Sequence, residues 1–302
     1  MKKKARRFLS ISDLSTTEIK KVLNLALKIK HNPKKYSNKL KGLTLAMIFE
    51  KPSLRTRVSF ETGMTQLGAH AIYLGPNDIQ MGVRETPSDI ARNLERMVDI
   101  IMARVFEHQK LIELSKDTKV PVINGLSDLE HPCQAMADIL TVLEKKKKLK
   151  GLKLTFIGDC ENNVTHSLAI LCDKLGMKFF CSAPKGYEMK KEVVKTLKNK
   201  ITEVVDPKKA IENADIVVTD TWISMGDEKE KKTRLKVFPP YQINSKLMKR
   251  AKADAIFLHC LPAYRGFEVT DDIIDGPQSV VFDEAENRLH VQKALILFLL
   301  GK

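Results

Sequence analysis

Ser53-Leu54-Arg55-Thr56-Arg57 places two hydroxyls and two guanidinium groups within five residues. It follows a short apolar run, Leu43 to Phe49, that reads as a buried strand. It precedes a segment, Val58 to Leu67, with apolar residues about one helical turn apart. The stretch is therefore expected at a strand-to-helix turn, running into the first turn of the helix. Free backbone N–H groups and the positive end of the helix dipole converge there. Ser53 and Thr56 add hydroxyl donors, and Arg55 adds a planar fork matched to phosphate oxygens. The chemistry this describes is a seat for a phosphate group. A capped, solvated helix start with two surface arginines has the same residue types, so the other polar residues must decide.

Arg104, His131, Asn163, Asp220 and Cys260 each end or follow a predicted strand. In open α/β sheets, ligands bind outside the carboxyl ends of the strands. No HxH, HExxH or paired carboxylates occur at metal-ligand spacing, so no metal is expected. GxGxxG is absent, which argues against a nicotinamide cofactor. No other cofactor is implied.

The elements that must position these residues alternate between strand and helix. Ser15-Thr-Thr-Glu18 matches a capping box, and Ile19, Val22, Leu23, Ala26 and Leu27 then share one helical face. Asn32-Pro33 ends that helix. Strands are expected at 71–74, 99–105 and 120–124, and helices at 86–97, 108–116 and from His131 to about Lys145. The lysine run from Lys145 to Lys148, followed by Gly151, is the best candidate boundary. Beyond it, strands are expected at 152–157, 178–182, 203–205, 216–219, 255–259 and 279–282. Helices are expected at 164–175, 188–198 and 208–213, with a last one from Ala285 to Leu300. The expected fold is α/β: two doubly wound domains, each a mostly parallel sheet flanked by helices. The domains are expected at 1–148 and 149–284, with the helix at about 285–302 closing the second or crossing back onto the first.

Composition is that of a globular protein: 302 residues, 43% hydrophobic and 29% charged. No apolar run approaches the ~20 residues of a membrane helix. The basic start, Met1 to Arg7, lacks the apolar core of a signal peptide. The five cysteines, Cys133, Cys160, Cys172, Cys181 and Cys260, are scattered and form no CxxC pair. Reduced thiols in a cytoplasmic protein are expected. The formal charge of +15 is spread along the chain without an aromatic-rich basic patch. It reads first as a lysine-rich solvated surface, one that makes attraction of an anionic substrate easy, with no nucleic-acid motif.

Four motifs carry a resemblance. Ser53-Leu-Arg-Thr-Arg57 is similar to an SxRTR motif, and His131-Pro-Cys-Gln134 matches HPxQ. Asp220-Thr-Trp-Ile-Ser-Met-Gly226 and His259-Cys-Leu-Pro262 resemble DxWxSMG and HCLP. In this order, and covering essentially the whole chain, they resemble the aspartate/ornithine carbamoyltransferase family, with the last two motifs those of its ornithine branch. The resemblance implies a first domain for carbamoyl phosphate, a second for the amine substrate, and trimers with active sites between subunits. It implies transfer of the carbamoyl group to the δ-amine of L-ornithine, giving L-citrulline and phosphate.

By the same resemblance, Ser53, Leu54, Arg55 and Thr56 hold the phosphate. Arg104 and His131, with Thr56, polarise the carbonyl oxygen. Gln134 orients the carbamoyl NH2, helped by backbone near Cys260 and Leu261, with Pro132 and Cys133 in the same motif. Arg288 also reaches carbamoyl phosphate, and Gln80 is donated by a neighbouring subunit. Asn163, Asp220, Ser224 and Met225 bind the amino-acid end of ornithine, and Cys260 lies near the reacting amine. Arg104, His131 and Cys260 are the expected catalytic residues. Many ornithine enzymes read HCLPR, whereas Ala263 follows Pro262 here, with Arg265 two positions on. Another amine acceptor, such as putrescine or aspartate, and a non-catalytic anion-binding relative are the alternatives.

Overall fold

The computed structural model describes residues 6–199, 201–223 and 228–302. The chain divides into two compact units. The first comprises residues 1–140 and 286–302, and the second comprises residues 141–285.

The first unit is built on β1 (Arg7–Phe8), β2 (Thr44–Phe49), β3 (His70–Leu74), β4 (Ile100–Arg104) and β5 (Val122–Leu126). Their order is β1-β5-β4-β2-β3, and every pairing is parallel. β4 and β5 are buried throughout, as expected of strands covered on both faces. Ser15 caps the helix Thr16–His31 and Glu18 closes the box. Ile19, Val22, Leu23, Ala26 and Ile29 form that helix's buried stripe.

The second unit repeats the plan with β6 (Lys153–Ile157), β7 (Lys178–Ser182), β8 (Thr202–Glu203), β9 (Ile216–Thr219) and β10 (Ile256–His259). The order is β10-β9-β6-β7-β8, again all parallel. Its core gathers Ile157, Val217, Tyr241, Ile243, Phe257, Val269 and Val281.

Both sheets are doubly wound. From β2 the chain adds β3 on one side and then jumps to β4 on the other. From β6 it adds β7 and β8 on one side and then jumps to β9. Each reversal opens a crevice at the carboxyl ends of two neighbouring strands, the usual ligand position in such folds. In the first unit those strands are β2 and β4, and in the second they are β6 and β9. The β4–β5 register also shifts between Ala103 and Arg104, where Ala103 faces Asn124 but Arg104 faces Leu126. Gly125 is the extra residue. A side chain there would run into Met102 Sδ and come within 3.2 Å of the Ala103 carbonyl. Bulges re-aim side chains, and this one sits beside Arg104.

Three elements differ from the sequence expectation. Residues 279–282 are no strand: Ser279 makes only an isolated bridge to Phe257, and the final helix starts at Val281 and runs to Leu300. The three-residue apolar run Val280–Phe282 fits strand and helix equally. The helix expected over 188–198 is reduced to Lys191–Val194, whose N-cap Lys190 supplies no side-chain hydrogen bond. The strand expected from Val120 begins at Val122, because Pro121 has no N–H for the ladder.

Phe257 is fully buried in the second core. Phe257→Ala is expected to cost about 3–5 kcal/mol, and Ser15→Ala, at an exposed cap, about 1 kcal/mol. Urea unfolding of the two variants checks the ordering.

Candidate active site

The first crevice collects positive charge. Ser53 caps the helix Leu54–Gln66, accepting from the Thr56 amide at 3.3 Å and donating its hydroxyl to Thr56 Oγ1 at 3.1 Å. Thr56 Oγ1 also accepts from Arg288 Nη2 at 2.7 Å. Arg288 Nη1 donates to Gln134 Oε1, and Gln134 Nε2 donates to Asp138 Oδ1 at 2.8 Å. Thr56, Gln134, Asp138 and Arg288 are all buried. This chain of contacts joins three helix segments and fixes which way the Gln134 amide points: its N–H2 faces Asp138.

His131 is buried just before Pro132 opens the helix Pro132–Lys146. Its carbonyl accepts from the Gln134 and Ala135 amides, both at 3.1 Å. Burial, and then the charges of Arg288, Arg104, Lys51 and Arg55, hold the imidazole well below its usual pKa. A neutral ring among four cations can offer an N–H to a carbonyl oxygen without adding a fifth charge. Arg104 closes β4 and is 5% exposed. Cys133 is no nucleophile: burial pushes its thiol up to about 12, and Sγ faces the Asn124 carbonyl at 3.5 Å.

The second unit carries a different cluster. Asp220, just past β9, accepts from Cys260 Sγ at 3.1 Å and from the Thr221 amide at 2.8 Å. Burial raises the Asp220 carboxyl, against the pull of those two donors. His259 and Glu268 are fully buried. The Leu261 amide donates to His259 Nδ1 at 2.9 Å, so the ring proton sits on Nε2 and is donated to Glu268 Oε1 at 3.0 Å. Glu268 also accepts from the Tyr264 amide at 2.6 Å, and Glu284 accepts from the His259 amide at 2.9 Å. These bonds hold the turn in which Leu261 adopts φ 57° and Leu261–Pro262 is cis. Ligand atoms of Asp220, His259 and Cys260 lie within 4.8 Å of one another, but both His259 ring nitrogens are already engaged. Asn163 opens the helix Asn163–Leu175, next to its cap Asn162, whose side chain accepts from the Thr165 amide at 2.8 Å.

Two family profiles cover this chain. That of the aspartate/ornithine carbamoyltransferase carbamoyl-P binding domain matches residues 6–144, and that of the Asp/Orn binding domain matches residues 150–299. The chain belongs to the aspartate/ornithine carbamoyltransferase family. The ornithine carbamoyltransferase of Anoxybacillus flavithermus is 52% identical over 98% of this chain and 97% of its own length. The anabolic ornithine carbamoyltransferase of Pyrococcus furiosus is 50% identical over 98% of this chain and 96% of its own. The solved ornithine carbamoyltransferase from P. furiosus superposes with a TM-score of 0.94 at 49% identity, covering 98% of this chain and 97% of that one. The anabolic enzyme from Campylobacter jejuni gives 0.91 at 41%, covering 97% and 98%.

Within this family member, the structure gathers Ser53, Thr56, Gln134 and Arg288 by direct contact, and places Arg55, Arg104 and Arg288 in the field of His131. Leu54 is exposed beside them. Arg57 turns away: it pairs with Glu61 at 3.0 Å and stacks on Tyr73. Gln80, in a left-handed turn, is exposed and makes no side-chain hydrogen bond among the described residues. Asp220, Cys260 and Leu261 share one loop cluster. Ser224 and Met225 lie outside the described residues. Arg265 does not stand in for the missing arginine at 263, being pinned by Asp271 and Asp275 at the two ends of the helix Asp271–Ile274.

Sequence reasoning missed Lys51, Asp138, His259 and Glu268 as working parts. Lys51 and His259 adjoin or sit inside quoted motifs, so adjacency was a usable signal. Asp138 lies one helical turn after Gln134. Glu268, nine residues after His259, gave no signal.

His131 gives a pH prediction. Below pH 6.5 the unfolded chain takes up a proton that the folded ring refuses, so this residue's contribution to stability falls as pH drops through 6.5. The fall levels off once the folded ring also protonates. Two-dimensional ¹H–¹⁵N spectra should keep the His131 ring neutral at pH 6, and His131→Gln should flatten that part of the stability profile. A ring half-protonated at 6.5 would mean that it is neither buried nor faced by the four cations.

Proposed function

We propose that this chain transfers the carbamoyl group of carbamoyl phosphate to the δ-amine of L-ornithine, releasing phosphate and forming L-citrulline for arginine biosynthesis in the cytoplasm. The observation that carries this reading is the buried His131, with Arg104 buried at the end of β4 and Arg288 bonded to Gln134 and to Thr56 in the capped start of the helix Leu54–Gln66. A dianionic phosphoryl donor suits that field.

The roles follow from where charge develops. Ser53, Leu54, Arg55 and Thr56 hold the phosphate through the capped helix start. The neutral δ-amine attacks the carbonyl carbon, and the carbonyl oxygen gains negative charge. Arg104, His131 and the Thr56 hydroxyl stabilise it there. The C–O bond to phosphate then breaks, and the phosphate leaves into the arginines. Gln134 presents its carbonyl oxygen to the carbamoyl NH2, its own N–H2 being taken by Asp138. Arg288 reaches the phosphate from the last helix.

In the second unit, Asp220 supplies the negative charge for an ammonium group, and Asn163 with adjoining amides serves the carboxylate. Ser224 and Met225 complete this amino-acid end. Cys260 stands beside the reacting amine. A free alkylamine has a pKa of about 10.4, so the site must take up or create the neutral form. The proton released as the C–N bond forms passes to the departing phosphate, which gains basicity as its bond to carbon breaks.

The assembly we propose is a homotrimer. Leu54, Val58, Val83 and Met97 expose large apolar surface on the first unit, and exposed Gln80 is free to reach a neighbour's donor site. Light scattering should give three times the 34.2 kDa of one chain. A monomer would refute the assembly.

Offering ornithine, putrescine and aspartate separately tests the acceptor: citrulline should form from ornithine far faster than either rival is carbamoylated. Arg55→Gly should lower turnover about 10²–10³-fold, the usual loss for one donor to developing charge, while circular dichroism stays unchanged. Asp220→Asn should raise the KM for ornithine much more than that for carbamoyl phosphate. Equal rises would mean the amine pocket is misplaced.

A further inference from the structure

Arg234 lies in the short helix Lys231–Val237 of the second unit and is 5% exposed. Its Nη1 donates to Asp159 Oδ2 at 2.6 Å and to the Trp222 carbonyl at 3.0 Å. Its Nε donates to Glu230 Oε2 at 3.0 Å. The guanidinium carbon lies 4.9 Å from the Tyr187 ring centroid. Phe238 stacks on Trp222 with centroids 5.7 Å apart, and Trp222 lies parallel to Phe267 at 6.4 Å.

The chain positions of those acceptors give the contact its meaning. Asp159 follows β6 in the turn that leads to Asn162 and Asn163. Trp222 comes two residues after Asp220, past β9. One guanidinium thus ties together the two rims of the β6/β9 crevice. Stability alone does not require this: a buried ion pair is often replaceable by packed apolar residues. A planar guanidinium whose Nη1 holds both acceptors, while its Nε is fixed by Glu230, is a geometric device.

We propose that Arg234 is a positioning residue for the amino-acid substrate. It sets the spacing between the Asp159 turn and the Asp220–Trp222 segment, and so between Asn163 and Asp220, without touching the substrate. The inference rests on the reading of the second unit as the ornithine site. The aromatic stack holds the Trp222 side chain while Arg234 holds its backbone.

The test uses the full-length chain and three variants: Arg234→Ala, Arg234→Lys and Asp159→Asn. Arg234→Ala should raise the KM for ornithine about tenfold or more, the scale expected of ångström-level misplacement. The KM for carbamoyl phosphate should stay within about twofold, because that ligand is assigned to the other unit. Free guanidinium ion should lower the raised KM, and ammonium ion should not. Arg234→Lys should recover only part of the loss. Trp222 is the sole tryptophan, so its emission reports the anchoring independently of turnover: it should shift in Arg234→Ala and return with guanidinium. If Arg234→Ala fails to fold, Asp159→Asn removes the charge from the same tie at constant size and should show the same split in weaker form. An unchanged ornithine KM, or equal rises in both, in a folded variant overturns the proposal. An unmodified chain that forms no citrulline would instead overturn the assigned reaction, and the Trp222 emission would still judge the anchor.

Discussion

Like charges brought together in a low-dielectric crevice repel, and the first unit is organised around that constraint. Arg55, Arg104, Arg288 and Lys51 all act on one buried imidazole. The fold tolerates this in part because Arg288 and Lys51 have company. Arg288 is held by Thr56 and Gln134, Gln134 by Asp138, and Lys51 lies over the Phe106 ring at 4.6 Å. The helix dipole at Leu54–Gln66 adds a further positive end. A dianion entering this crevice relieves repulsion as well as making bonds, and a ligand bound only by the folded form stabilises it by mass action. Keeping His131 neutral is part of the same balance, since its protonation would add to the repulsion just where an N–H donor is wanted.

On the proposed reading, the second unit meets a different requirement, the placement of a nucleophile. Its polar groups are arranged around acids. His259 is locked in one tautomer by the Leu261 amide and Glu268. Glu268 simultaneously holds the Tyr264 amide, so one carboxylate shapes both ends of the turn that follows β10. Cys260 is thereby presented to Asp220 at hydrogen-bond distance. The left-handed Leu261 is a strained position for a branched residue. Strained residues of this kind persist where surrounding bonds over-determine them, as they do here.

Much of this was legible in the sequence, for identifiable reasons. Parallel strands buried on both faces read as continuous apolar runs, so β2, β4, β6 and β9 were found close to their true limits. Ser53 announced a cap, and the residues ending strands announced a crevice. What stayed hidden were contacts made across sequence distance. Nothing near Asp138 says that it orients Gln134 rather than pairing with a surface lysine. Nothing in the nine residues from His259 to Glu268 says that the two are buried together. The Val280–Phe282 run was misread because the burial of Val281 is set by packing against Phe257 and its neighbours, not by local pattern. The register shift at Arg104 is invisible for a related reason: a bulge depends on a partner strand, and Gly125 alone marks it only weakly.

Sheet topology and crevice chemistry separate cleanly here. Both units place a five-stranded parallel sheet, wound in two directions from an inner strand, beneath their polar residues. The reversal fixes where a ligand can lie, but not what kind. On the proposed reading, that choice is made by a few side chains gathered at the carboxyl ends of the strands: arginines and a buried imidazole in the first unit, and a carboxylate and an amide in the second. Opposite electrostatics on one architecture follow directly from the two ligands a transfer reaction needs. An anionic donor must be gripped and its leaving group stabilised, whereas an amine nucleophile must be oriented and stripped of its proton. A carbamoyl transfer demands both fields, and a chain that carries each on its own doubly wound sheet can tune them by loop substitutions that leave the two buried cores untouched.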